Sequence, residues 1–176
     1  MKDAVENKLF LLYVVQRLKE KGSWCGETHI QKNVYFLQKL VDVLSTYNFI
    51  LYKHGPFSFD LRDELTAMRA DGLLVIEPKM PYGSSYSLGK IGEIWLNKFH
   101  EGVIDRKKEI NHIIDTLADK KVKELEKLAT ALYVREKYKN LSEEDLAKEL
   151  QRLKPHVNKE EALVAVEQVN NWLGEN

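Results

Sequence analysis

The chain has 176 residues, 44% of them hydrophobic and 31% charged, with 27 basic against 27 acidic side chains and one cysteine. That balance excludes disordered, collagenous and membrane-spanning compositions, and a lone cysteine excludes an intrachain disulfide or a thiolate zinc cluster built from one chain. Residues 1–104 carry 13 basic and 12 acidic side chains, or +1, and residues 105–176 carry 14 and 15, or −1, so no basic domain or tail supplies a strong attraction to phosphate.

In chain order, Leu9, Leu12, Tyr13 and Gln16, with Val15 and Leu18 widening the face, predict a helix over 5–21 that ends at Gly22-Ser23. Its apolar run, Leu9 to Val15, is too short to cross a bilayer and has no small-residue cleavage site, which predicts a cytoplasmic protein. A second helix is expected from Thr28, acting as its cap, with Ile30, Val34, Leu37, Val41 and Leu44 on one face. Phe49 to Tyr52 then read as a short strand, and Gly55-Pro56 as a sharp turn that stops it.

Ser58 or Asp60 is placed to cap a third helix, with Leu61, Leu65 and Met68 on one side and Asp71-Gly72 at its end. Leu73–Glu77 and Ser85–Leu88, separated by Pro78, Pro81 and Gly83, predict a hairpin that would be the wing of a winged helix. Ile91, Ile94, Trp95, Phe99 and Val103 recur at helical intervals, and three helices are expected from Asn111 onward. Among their signals are Ser142 ahead of Glu143, Glu144 and Asp145, Pro155 as a stop, and Asn158 with Glu161 as a capping box.

Lys32, Tyr35, Phe36 and Gln38, followed by Tyr52-Lys53-His54-Gly55-Pro56-Phe57-Ser58 and by the exit Asp71-Gly72-Leu73, resemble the Panacea-domain family of phage-associated and antitoxin (SocA-like) proteins and the related YwgA-like proteins. The resemblance spans about residues 5–100. It implies a winged-helix-like fold with no enzymatic active site, in a family whose antitoxins and adaptors act through protein contacts. The expected architecture is thus mainly α with a small β wing (α+β): a winged-helix-like domain over 1–104 and a helical region over 105–176 that is expected to dimerise.

In a winged helix the third helix enters the major groove. Arg62, Thr66 and Arg69 form one stripe on it, with Lys53, His54 and Phe57 at the preceding turn and Lys79 and Lys90 flanking the wing. Asp60, Asp63 and Glu64 favour the helix dipole but repel phosphate at the docking end, which shifts the expectation from DNA to a protein partner. Duplex DNA, met by the 58–71 helix and the 73–88 wing, is the alternative partner.

The remaining chemistry-bearing residues read as structural. Gly55 and Pro56 are expected to make a turn, and the Cys25/His29 pair to be incidental because Gly26 breaks its spacing. His100 and His112 with Glu101, Asp105 and Glu109 have imperfect metal spacing. Gly83, Gly89 and Gly92 are too sparse to cradle a phosphate. No catalytic residue, metal or cofactor is expected.

Overall fold

The computed structural model describes every residue except 1, 42, 44–46, 80–82, 100–105 and 175–176. Among the described residues lie eight helices, α1 (Lys2–Glu20), α2 (Glu27–Leu40), α3 (Phe59–Ala70), α4 (Lys90–Phe99), α5 (Lys107–Leu117), α6 (Val122–Lys137), α7 (Glu143–Leu153) and α8 (Lys159–Gly174). Two antiparallel hairpins complete the fold: β1 (Ile50–Tyr52) with β2 (Gly55–Phe57), and β3 (Leu74–Lys79) with β4 (Gly83–Leu88). The class is mainly α with a small β part, as expected.

The chain divides into two compact units, Met1–Phe49 with Ser58–Lys120, and Ile50–Phe57 with Lys121–Asn176. This cut differs from the division at residue 104 expected from the sequence. α5 stays with the first unit because Ile110, Ile113, Ile114 and Leu117 bury themselves beside α1 and α2. The hairpin at 50–57 goes to the second because β2 packs on α6.

In the first unit α1 is central. Leu9 to Val15 are all buried, not one stripe of them, because α2, α4, α5 and β4 flank this helix on several sides. α2 carries the residues of the family-like motif inward: Lys32 and Tyr35 are 1% exposed and Phe36 is fully buried, with the Tyr35 ring 5.0 Å from that of Phe49. Thr28 is not its cap. The helix starts one residue earlier behind Gly26, an N-cap with no side chain to offer.

α3 starts as the sequence implies, with Ser58 Oγ accepting from the Leu61 N–H at 3.2 Å. Leu61, Leu65 and Met68 face inward. It ends at Gly72, whose φ of +70° lets the Leu73 N–H reach back to the Met68 carbonyl at 2.9 Å. β3 and β4 then pair in register from Leu74↔Leu88 to Lys79↔Gly83. Pro81, Val103, His100, Glu101 and Asp105, like Leu44 at the end of the expected α2 face, lie outside the described residues.

In the second unit the expected turn at Gly55-Pro56 moves back by two residues. Lys53 and His54 form the turn, and Gly55 and Pro56 open a second strand. Proline fits there because Leu51↔Pro56 needs no proline N–H, being the pair between the bonded pairs Ile50↔Phe57 and Tyr52↔Gly55. Gly55 is required by its surroundings: its φ is +81°, and a Cβ on it would lie 2.9 Å from Thr130 Oγ1 and 3.4 Å from the Glu126 carbonyl.

Helices α6, α7 and α8 pack on one another through Leu125, Leu128, Leu132, Leu146, Leu150, Val166 and Val169. Among the described residues four helices, not three, follow residue 106, because the expected continuous pattern from Ile114 to Val134 breaks between Leu117 and Val122. At that break the Lys121 N–H is taken by Glu124 Oε2 at 3.1 Å, which starts α6 afresh. The Ser142 cap and the Asn158/Glu161 box form as read: Ser142 Oγ accepts from the Asp145 N–H at 3.2 Å, and Asn158 Oδ1 from the Glu161 N–H at 2.9 Å.

Candidate functional site

Arg62, Thr66 and Arg69 do share the exposed face of α3, because Leu61, Leu65 and Met68 take the opposite one. Arg62, however, is engaged. Its guanidinium lies 4.9 Å over the Phe59 ring and pairs with Asp63 at 3.2 Å, an aromatic and a carboxylate from the same helix. Glu27 at the start of α2 is an electrostatic neighbour: burial raises its pKa, and the charge of Arg62 works against that rise. Thr66 gives its hydroxyl to the Arg62 carbonyl at 2.9 Å.

Arg69 is exposed in the last turn and makes no ion pair among the described residues. Its electrostatic neighbour is Tyr86 on β4, whose pKa is raised by burial and by Glu27 while Arg69 lowers it. Lys90 is exposed at the first position of α4, and Lys79 is the last residue of β3. α3 thus presents a mixed-charge surface, with Asp60, Asp63 and Glu64 around Arg62 and with Phe59 38% exposed among them.

Lys53, His54 and Phe57 belong to the other unit. Lys53 and His54 are exposed at the turn, and Phe57 is half-buried with its ring 5.7 Å from that of Tyr52. Behind the turn lies a buried ion pair that the sequence did not reveal: Lys154 Nζ binds Glu126 Oε1, with the two side chains 6% and 8% exposed. Lys154 also donates to the Lys53 carbonyl at 2.8 Å, and His54 Nδ1 lies 3.5 Å from Glu126 Oε2. Burial by itself would raise the Glu126 carboxyl, but the hydrogen bond and charge of Lys154, with His54 adding to them, hold it below its ordinary value.

Of the spacings weighed as chemical sites, the Cys25/His29 pair lies among the described residues. Cys25 is fully buried, its Sγ sits 3.9 Å from the Val15 carbonyl, and burial pushes its pKa up to about 12. A thiol so held is not a nucleophile at neutral pH. His29 is 6% exposed with its pKa lowered by burial, and its Nδ1 makes no hydrogen bond among the described residues. No group of three His, Cys, Asp or Glu residues gathers there in a way that could hold a metal ion. No described helix is long and apolar enough to cross a membrane.

No family model matches the chain, and no curated protein matches its sequence.

Proposed function

We propose that this chain is a non-enzymatic, winged-helix-like protein of the cytoplasm that acts by contact with another protein, in the manner of an antitoxin or adaptor. The Panacea-like motif motivates that role. The observation that carries it is Arg62: the residue best placed for phosphate is stacked on Phe59 and paired with Asp63, and more carboxylates surround it. Such a face repels a polyanion and suits a protein, whose interfaces favour aromatic and arginine side chains with mixed charge around them. The β1-β2 hairpin offers a second surface of the same kind, with Ile50 and Tyr52 50% and 53% exposed.

The test is reconstitution with the protein recovered from the producing cell. Tyr52→Ala and Arg62→Ala should each weaken the complex about tenfold, the scale of an interface hot spot. Recovery of no specific protein, together with tight duplex binding by the purified chain, contradicts the proposal. For a homodimer through 105–176, α8 still offers Val164 and Leu173, 62% and 38% exposed, whereas α6 and α7 already cover Ala162, Val166 and Val169. Light scattering across a concentration series decides between one copy and two.

A further inference from the structure

We propose that the outer edge of β1 is a strand-addition site, which takes an extended segment of a partner protein with an acidic side chain beside Lys53. This rests on the protein-contact reading above. In the register Ile50↔Phe57, Leu51↔Pro56, Tyr52↔Gly55, hydrogen-bonded and non-bonded pairs alternate. Pro56 has no N–H, so Leu51↔Pro56 is a non-bonded pair, and the N–H and C=O of Leu51 point away from β2. Among the described residues no further strand pairs with β1. Leu51 therefore offers the donor and acceptor that an added strand uses.

Natural sheets blunt such edges with charge, proline or a bulge. Here the proline sits on β2, the strand against α6, while β1 reads Ile-Leu-Tyr with no charge. Ile50 and Tyr52 share one face and Phe57 joins them from β2, so alternate side chains of an incoming strand meet an aliphatic and aromatic surface. The edge is also held in shape before any partner arrives: Gly55 lies against Thr130, and Lys154 holds the Lys53 carbonyl. A preformed edge lowers the ordering cost of association. Lys53 is exposed at the end of this edge with no ion pair among the described residues, which favours a carboxylate at the adjoining position of the partner.

The probe is a library of random linear peptides displayed on phage and panned on the full chain. Recovered peptides should alternate apolar residues and carry an acid. Leu51→Pro removes the outward N–H without touching a ladder bond to β2 and should weaken them at least about tenfold, the effect of one hydrogen bond, whereas Leu51→Val, which also trims the side chain, should not. Matching thermal unfolding of the variants shows that the fold is kept. In the wild-type chain, exchange of the Leu51 amide should slow when peptide is bound. Equal binding by Leu51→Pro, an unprotected Leu51 amide, no recovered peptide, or edge-to-edge pairing of two copies overturns the proposal. If the cellular partner still binds Leu51→Pro, the edge is wrong and the protein-contact reading stands; if neither peptide nor partner binds, both fall.

Discussion

Gln31 and Ser58 exchange two hydrogen bonds of 2.9 Å, the glutamine amide giving to the Ser58 carbonyl and its oxygen taking the Ser58 N–H. Gln38, two turns further along α2, does the same with Tyr47 at 2.9 Å in both directions. Two glutamines of one helix thus pin the chain on either side of residues 50–57, and each replaces a strand partner that the backbone there lacks.

Gln31→Leu should be among the most damaging substitutions on α2. It leaves the buried N–H of Ser58 unpaired at about 1–3 kcal/mol, takes from the Ser58 carbonyl one of its two donors, the Arg62 N–H at 3.2 Å remaining, and disturbs the residue that caps α3. Denaturant unfolding is the check, and Gln31→Glu should also be costly at neutral pH, since it buries a carboxylate with one oxygen against the Ser58 carbonyl, with the loss shrinking in acid as protonation restores a donor.

Gly55→Ala should destabilise the second unit by about 1–3 kcal/mol, since the new methyl meets Thr130 Oγ1 at 2.9 Å on a backbone with φ of +81°. Gly83 also has a positive φ, +91°, but among the described residues nothing lies within 4 Å of an added Cβ. Gly83→Ala should therefore show the cost of backbone strain alone, and thermal unfolding of the pair separates strain from collision.

The Lys154–Glu126 pair makes acid stability predictable in sign. Because the folded carboxyl of Glu126 is held below its ordinary value, its stabilising contribution is complete above that ordinary value and is lost as pH falls through the lower folded one. Lys154→Met leaves a buried carboxylate without its partner and should cost about 3–5 kcal/mol at neutral pH. In that variant the acid loss of stability on account of Glu126 should shrink, since burial favours the protonated form and only His54 still opposes it. The double change Lys154→Met with Glu126→Leu should recover much of the loss. Urea titrations at a series of pH values read all three.

Helix placement was legible where period and punctuation agreed. The stripe of Leu61, Leu65 and Met68 set α3, and Ser58 and Gly72 bounded it, so the exposed position of Arg62 and Arg69 followed from spacing alone. β2 was hidden because Gly55-Pro56 carries the same letters as a chain stop. Only the approach of α6 to a glycine without a Cβ turns those letters into a strand. The Lys154–Glu126 pair had no local signal, since its members stand 28 positions apart and the carbonyl they hold belongs to Lys53. The engagement of Arg62 was half visible: Asp63 is its sequence neighbour, whereas the approach of Glu27 depends on how α2 lies beside α3.

The central claim is that α3 does not read DNA, and selection of duplexes from a random pool followed by titration in physiological salt tests it most directly. The account predicts no enriched sequence and no binding tighter than about micromolar, the level of non-specific attraction. A selected duplex bound at about nanomolar strength, with a steep salt dependence that Arg62→Ala and Arg69→Ala each reduce, would contradict it.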